Sequence, residues 1–251
     1  MALLLSGNSN TTSKKAILFI HGGPGMSAGY LSNVLDDVLL NAKAFTYNQK
    51  KGALNIEELV TELVETVEEL SGKFEEIVIY GHSFGGILAL EASDKLSSKV
   101  TTIVLDPPII NSNYINHMKI SNTEKEKIAS IHSSKLNLNI KYEKMTEALS
   151  SSYFSNPNLM DNFIEKTQFD GTSKEAIQVS YLNNFTLFQK IKDYKNTIKF
   201  INGGRDKIVP PDYVEELLEE LDMKSYTISN SGHFPLIEAR GEVVSFLNTI
   251  L

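Results

Sequence analysis

A serine lies between glycines in the segment GHSFG, at residues 81–85. The preceding residues 77–80 are β-branched or aromatic and predict a buried strand, whereas residues 87–90 are good helix formers. A Gly-x-Ser-x-Gly turn between a strand and a helix holds its serine in a strained conformation and allows only small flanking residues. Ordinary glycine turns also produce this pattern, but its position between a strand and a helix favours a nucleophile at Ser83.

A second glycine-rich turn follows the first predicted strand and has the sequence HGGPG, at residues 21–25. Because the turn lacks bulky side chains, its backbone N–H groups can approach a reacting oxygen, as an oxyanion hole requires. Glycine and proline also end strands where they have no chemical role. The combination with Ser83 favours the oxyanion hole, because both turns are predicted at the same edge of one sheet.

A nucleophilic serine needs a general base, and the chain has five histidines. His21 and His82 belong to the two glycine-rich turns, while surface positions are expected for His117 and His132. His233 follows the last predicted strand in the loop NSGHFP, which would present its side chain at the sheet edge. His233 is therefore the predicted base.

Two aspartates compete for the role of the acid that orients this histidine. Asp206 follows the strand predicted at 198–201, in the segment GGRDKIVPP, one strand before the histidine loop. Asp106 ends the strand predicted at 100–105, in the segment VLDPPI, and a carboxylate there could reach the same histidine. The sequence favours Asp206 and assigns Asp106 to the hinge that leads into the following helices.

Strand-like and helix-like segments alternate along most of the chain, which predicts a mostly parallel sheet with helices on both faces. The predicted strands are residues 16–20, 44–47, 77–80, 100–105, 198–201 and 226–228. The predicted amphipathic helices are residues 56–70, 213–221 and 243–251.

The alternation stops between residues 111 and 195, where no strand pattern occurs. Helix-like segments are predicted there at 124–131, 141–149 and 159–167, with aromatic residues expected mainly to pack against the rest of the protein. We therefore predict that residues 1–110 and 196–251 form one α/β core. Residues 111–195 are predicted to form a helical cap inserted into it.

The amino-acid composition indicates which classes of binding partner the protein can have. The chain has 24 basic and 31 acidic residues and a net charge of −7, without a basic cluster, which argues against a nucleic-acid or anionic-membrane partner. It has no cysteine, which excludes disulfides, thiolate metal sites and a cysteine nucleophile. The apolar run at residues 2–5 is too short for the core of a signal peptide. We expect a cytoplasmic protein that acts on a small molecule.

The segments HGGPG, GHSFGG, GGRDKIVPP and SGHFPLIE together resemble the α/β-hydrolase superfamily. HGGPG resembles its proline-iminopeptidase-like branch, and the order Ser, Asp, His is typical of the superfamily. The resemblance covers the sheet-forming parts of the chain and implies an α/β-hydrolase fold with a helical cap. Because only about fifteen residues precede the first predicted strand, the N-terminal strands of the usual sheet are expected to be reduced or missing.

Two features depart from the peptidase branch. Its members usually carry Asp-Gln-Arg-Gly-x-Gly-x-Ser where this chain has YNQKKGALN. They also hold the substrate's amino group with acidic cap residues near tryptophans, and this chain has no tryptophan. Acidic residues on such helices are usually solvated, so none is assigned this role among Glu143, Glu147, Asp161, Glu165 and Glu175.

The resemblance implies that Ser83, Asp206 and His233 form a catalytic triad. By analogy, the backbone N–H groups of Gly23 and Phe84 would form the oxyanion hole, and no metal or organic cofactor is implied. The expected reaction is cleavage of an ester, amide or peptide bond of a small molecule or short peptide through an acyl-enzyme. A proline-iminopeptidase-like aminopeptidase is one candidate. The alternatives are a carboxylesterase or thioesterase, and a binding protein without turnover on the same fold.

Overall fold

The computed structural model describes residues 4–6, 12–35 and 40–251, and seven strands of these residues form one sheet. The strands are β1 (Leu4–Ser6), β2 (Lys15–Ile20), β3 (Lys43–Thr46), β4 (Glu76–His82), β5 (Val100–Asp106), β6 (Ile198–Gly203) and β7 (Ser225–Ile228). Their order across the sheet is β1-β3-β2-β4-β5-β6-β7. β1 is antiparallel to β3, and all other neighbours are parallel. The predicted parallel sheet is confirmed.

One short strand comes from the described part of the N-terminus. Among the described residues, the three-residue strand β1 alone precedes β2. Residues 2 and 3 of the N-terminal apolar run lie outside the described residues.

Helices cover both faces of the sheet. In chain order they are α1 (Gly29–Leu35), α2 (Ile56–Ser71), α3 (Phe84–Ala92), α4 (Tyr114–His117), α5 (Asn122–Ser133), α6 (Leu138–Ala148), α7 (Ser150–Tyr153), α8 (Leu159–Lys166), α9 (Gly171–Ile177), α10 (Phe188–Asp193), α11 (Pro211–Leu221), α12 (Pro235–Glu238) and α13 (Arg240–Ile250). A short 3₁₀-helix (Ser93–Lys95) follows α3, and a π-helix (Gln178–Leu182) follows α9.

Alternate residues of strands β2 to β6 pack into two apolar clusters, because successive side chains of a strand point to opposite faces. Leu18 packs with the cluster that contains α2, α3 and α11. Its neighbours Ile17 and Phe19 pack with the cluster that contains α1 and α13. The sheet is therefore buried on both faces, which explains why its strands are almost continuously apolar.

Helix α2 shows how the sequence determines one of these layers. The Asn55 side chain accepts a hydrogen bond from the Glu58 N–H and caps the helix N-terminus. Its buried residues recur at three- and four-residue intervals, as the predicted amphipathic pattern requires. They are Ile56, Leu59, Val60, Leu63, Thr66, Val67, Leu70 and Ser71.

Residues 111–195 are all described and contain only helices α4 to α10, the π-helix and connecting loops. The segments predicted at 124–131, 141–149 and 159–167 are the helices α5, α6 and α8. Isolated bridges join Met26 to Phe169 and Asn111 to Thr186. Within the described part of the chain, no helix combines the length and the apolar character needed to cross a membrane.

Candidate active site

Ser83 occupies a sharp turn between β4 and α3, as the glycine pattern predicts. Its backbone has φ 51° and ψ −117°, a strained conformation for a residue with a side chain. A Cβ on Gly81 would lie 2.6 Å from the Gly86 backbone, and one on Gly85 would lie 2.4 Å from the Ile20 carbonyl oxygen. Both glycines are therefore required by close backbone contacts. The turn holds the Ser83 side chain half-buried at the carboxyl edge of the sheet.

The structure brings His233 between Ser83 and Asp206. His233 Nδ1 lies 2.8 Å from Asp206 Oδ2, and His233 Nε2 lies 3.1 Å from Ser83 Oγ. Because an ionised carboxylate only accepts hydrogen bonds, Nδ1 carries the proton and Nε2 is free to accept the Ser83 hydroxyl proton. His233 thus has the tautomer that a general base for Ser83 requires.

The loop after β6 fixes the position of Asp206. Its Oδ1 accepts hydrogen bonds from the Ile208 N–H at 2.7 Å and from the Val209 N–H at 3.0 Å, while Oδ2 faces His233. The side chain is buried, so these three bonds replace solvent around the carboxylate. This arrangement holds one oxygen against the histidine ring.

Asp106, the competing acid, lies in a different environment. Its Oδ2 accepts a hydrogen bond from the Tyr80 hydroxyl, its Oδ1 has no partner among the described residues, and its backbone oxygen accepts from the Ser83 N–H at 2.8 Å. Burial, with the neighbouring charge of Asp206, raises the pKa of Asp106 well above its ordinary value. The structure therefore brings Asp206 to the histidine, and pairs Asp106 with Tyr80.

The glycine-rich turn after β2 lies against Ser83. A Cβ on Gly22 would be 3.3 Å from the Ser83 Cβ, and Gly23 has φ 145°, a conformation that favours glycine. The Phe84 N–H is at the N-terminus of α3, where amides have no acceptor within the helix. The two predicted oxyanion donors thus belong to segments that flank the serine on two sides.

His21 holds the peptide plane of this turn. The Gln49 N–H donates to His21 Nε2 at 3.1 Å, so the ring carries its proton on Nδ1, which donates to the Gly22 carbonyl at 2.7 Å. The Gly22 carbonyl and the Gly23 N–H belong to one planar peptide group. His21 therefore fixes the direction of the Gly23 N–H, a role that the sequence analysis did not assign to it.

Residues 111–195 contact both the glycine-rich turn and the histidine loop. The Tyr142 hydroxyl donates to the Pro24 carbonyl at 2.9 Å, and the Asp170 N–H donates to the Gly25 carbonyl at 2.7 Å. On the other side, the His233 N–H donates to the Tyr153 carbonyl at 2.7 Å. These contacts were missed because nothing in the local sequence pattern identifies partners so distant along the chain.

Glu238 binds the backbone of the histidine loop, a contact that the sequence pattern did not predict. Its carboxylate accepts from the Gly232 N–H at 2.7 Å and from the Ser155 N–H at 2.8 Å. Two histidines of the predicted cap region lie apart from this network: His132 is exposed, and the half-buried His117 ring is tilted against the Tyr213 ring with centroids 4.7 Å apart. No cluster of three or more His, Asp or Glu side chains suited to a metal ion occurs among residues 4–6, 12–35 and 40–251.

The two buried histidines of the turns predict a specific dependence of stability on pH. Burial lowers the pKa of His82 to about 3 and that of His21 to about 4, whereas an unfolded histidine titrates near 6.5. Below pH 6.5 the unfolded chain therefore takes up protons that the folded protein excludes. The stability contribution of each histidine is complete above pH 6.5 and is lost as the pH falls towards the folded pKa.

His82→Gln removes one of these titrating groups and retains an uncharged donor and acceptor. The loss of unfolding free energy between pH 8 and pH 5 is expected to be about 2 kcal/mol smaller in His82→Gln than in the wild type. Urea denaturation of both proteins at the two pH values measures this difference, with Tyr47→Phe as a control that keeps both histidines. Equal losses in the wild type and His82→Gln would contradict burial of a neutral His82.

Comparison with known proteins agrees with the geometry of the fold. Residues 15–240 match the family described as the alpha/beta hydrolase fold. The chain belongs to this α/β-hydrolase family. No curated protein matches the chain significantly.

Solved structures resemble this α/β-hydrolase over almost its whole length. An α/β-fold family hydrolase from Bacillus anthracis str. Sterne is 15% identical, with a TM-score of 0.72 and coverage of 99% of this chain and 94% of the other. A proline iminopeptidase-related protein from Thermus thermophilus is 18% identical, with a TM-score of 0.70 and coverage of 98% and 91%. An esterase from Exiguobacterium antarcticum is 15% identical, with a TM-score of 0.65 and coverage of 99% and 93%. At these identities the likeness concerns the fold alone, whereas the family match over residues 15–240 confirms the superfamily resemblance.

Proposed function

We propose that this α/β-hydrolase is a serine hydrolase in which Ser83 is the nucleophile, His233 the general base and Asp206 the orienting acid. The observation that carries the proposal is the hydrogen-bonded line from Asp206 Oδ2 to His233 to Ser83 Oγ, with separations of 2.8 and 3.1 Å. A protein that only binds a ligand has no need for a strained serine aligned with a histidine of this tautomer.

The proposed reaction follows from these positions. His233 Nε2 takes the Ser83 proton as the oxygen attacks a substrate carbonyl, and Asp206 stabilises the resulting imidazolium. The N–H groups of Gly23 and Phe84 bind the developing oxyanion, and one such donor contributes about 3–4 kcal/mol to the transition state. The imidazolium then gives its proton to the leaving group. Water, activated by His233, cleaves the acyl-enzyme and restores the serine.

We propose a carboxylic ester of a small uncharged acyl group as the substrate class. An aminopeptidase would need a buried carboxylate in the predicted cap to pair with the substrate ammonium. Within 111–195, all of which the structure describes, Glu124 is the one buried acidic residue, and its carboxylate already accepts from Ser121 and Ser152. The five acidic residues considered from the sequence are half-buried or exposed: Glu143, Glu147, Asp161, Glu165 and Glu175.

Residues 111–195 are proposed to act as a cap that shapes access to Ser83. Their hydrogen bonds to Pro24, Gly25 and His233 join them directly to the proposed oxyanion turn and base. Tyr153 supports this role, because its ring centroid lies 5.4 Å from that of His233. The similarity to an esterase and to a proline iminopeptidase-related protein is compatible with either an ester or an amide as substrate.

Competitive labelling tests the proposed activity. A fluorophosphonate probe is expected to modify the wild-type protein, and a substrate that occupies the site should slow the labelling. The competitors are short acyl esters, acyl thioesters and aminoacyl amides, compared at equal concentrations. Protection by the esters alone supports the proposed class, whereas absence of labelling by the probe would contradict a serine hydrolase.

An esterase and an aminopeptidase differ in how their rates depend on a free amino group in the substrate. Acetylating the amino group of an aminoacyl p-nitroanilide is expected to change kcat/KM by less than about threefold, because no buried carboxylate is left unpaired. p-Nitrophenyl butyrate should be hydrolysed far faster than either anilide. A decrease of about 10²-fold or more on acetylation would instead indicate a buried ammonium site and support the peptidase.

A further inference from the structure

A buried tyrosine and a buried histidine connect the three segments that hold the proposed catalytic groups. The Gly22 N–H donates to the Tyr30 hydroxyl at 2.7 Å, and this hydroxyl lies 2.8 Å from His82 Nδ1. On the far side of the ring, His82 Nε2 lies 2.9 Å from the His233 carbonyl oxygen. Tyr30 and His82 are 3% and 2% exposed. The chain of bonds therefore runs inside the protein from the glycine-rich turn to the histidine loop.

The partners determine the direction of every hydrogen in this chain of bonds. The Gly22 N–H can only donate and the His233 carbonyl can only accept, so His82 must carry a proton on Nε2. Burial lowers the pKa of His82 to about 3, which leaves Nδ1 unprotonated and able to accept. The Tyr30 hydroxyl consequently accepts from Gly22 and donates to His82. Each of the three bonds has one donor and one acceptor.

Aromatic packing surrounds these bonds. The Phe234 ring lies 5.6 Å from the ring of Tyr30 and 4.6 Å from that of His82, and the Phe163 ring lies 5.1 Å from Tyr30. Close packing of this kind resists small displacements, because protein interiors are packed as densely as organic crystals and have low compressibility. The Tyr30 and His82 side chains are thus held in place by contacts as well as by hydrogen bonds.

We propose that Tyr30 and His82 are positioning residues that set the distance between the oxyanion turn and the His233 base across the Ser83 turn. The inference rests on the proposed function of Ser83 and His233. His82 is the residue before the nucleophile, Gly22 precedes the proposed oxyanion donor Gly23, and the bonded carbonyl belongs to His233 itself. A misplacement of about 1 Å between such groups lowers reaction rates by about 10²-fold.

Tyr30→Phe tests the hydroxyl directly, because it leaves the Gly22 N–H and His82 Nδ1 without partners. We expect kcat and the rate of fluorophosphonate labelling to fall by about 10- to 100-fold, with KM within about threefold of the wild type. Tyr47→Phe is the matched control: Tyr47 is also fully buried, but its hydroxyl has no hydrogen-bond partner among the described residues. This control should label at the wild-type rate.

Two variants of His82 separate the hydrogen-bonding role of its side chain from the volume that the side chain fills. In His82→Gln the amide can accept from Tyr30 and donate to the His233 carbonyl, so labelling should stay within about fivefold of the wild type. His82→Leu is similar in volume but has neither group, and should label about 10²-fold more slowly. A purely space-filling role would give the opposite order or no difference.

The tautomer of His82 provides a measurement that does not depend on enzymatic activity. Nitrogen-15 NMR of the wild-type protein should show one buried neutral histidine protonated on Nε2, whose signals disappear in His82→Gln. An Nδ1-protonated His82, or Tyr30→Phe labelling as fast as Tyr47→Phe, would overturn the inference. If the fluorophosphonate did not label the wild type, the proposed function would be contradicted. The tautomer of His82 would still test the chain of bonds from Gly22 to His233.

Discussion

Replacing Ser83 with alanine is expected to lower kcat by about 10⁴-fold or more while shifting Tm by less than about 2 °C. The hydroxyl's described bond is the one to His233, so its loss removes the nucleophile and little else from the folded structure. The alanine retains the Cβ and therefore the same backbone strain at φ 51°. Initial rates on p-nitrophenyl butyrate and calorimetric unfolding of both proteins measure the two quantities.

A control for the Ser83 variant comes from the other end of α3. Ser93→Ala also removes a buried hydroxyl, one that donates to the Leu90 carbonyl at the end of α3, and should retain wild-type turnover. If Ser83→Ala kept more than about a tenth of the wild-type kcat, the nucleophile would have to be sought elsewhere.

Asp206→Asn is expected to lower kcat by about 10⁴-fold. The asparagine amide would still accept from the backbone N–H groups of Ile208 and Val209, but it would present an N–H group to His233 Nδ1. His233 would then carry its proton on Nε2, the wrong tautomer for a base that must accept from Ser83. The rate of acyl-enzyme formation, monitored as the initial burst of released p-nitrophenol, measures this effect.

Asp106→Asn is the matched control, since Asp106 is a second buried aspartate at the same sheet edge. It contacts Tyr80 and not the histidine, so its replacement should change the acylation rate by less than about tenfold. A large loss in Asp106→Asn with a small one in Asp206→Asn would transfer the role of the acid to the strand β5.

Much of the sheet could be predicted because its signals are local. Strand β4 contains a continuous apolar run, β5 is rich in β-branched residues, and α2 has a clear amphipathic period. Residue type alone therefore predicted their positions to within about two residues. The topology of the sheet explains why the sequence could predict the proximity of three side chains: Ser83, Asp206 and His233. Each follows a parallel strand, and the carboxyl ends of these strands share one edge.

The supporting contacts could not be predicted, because they join residues far apart in the chain. Tyr30 and His82 are 52 residues apart, and His82 and His233 are 151 apart. Burial of Tyr30 in a helix is expected from its apolar body, but the pattern does not say which atom its hydroxyl meets. Strand β1 was missed for a different reason: three residues are too few for an alternating pattern.

Activation of Ser83 by His233 can be tested by peptide mapping. Wild-type protein is treated with the fluorophosphonate, digested, and analysed by tandem mass spectrometry alongside His233→Ala treated identically. We expect one phosphonate adduct in the wild type, on Ser83 in the peptide that contains GHSFGG, and at least about 10²-fold slower modification in His233→Ala. An adduct on another residue, or equally fast modification of Ser83 without the histidine, would contradict activation of Ser83 by His233.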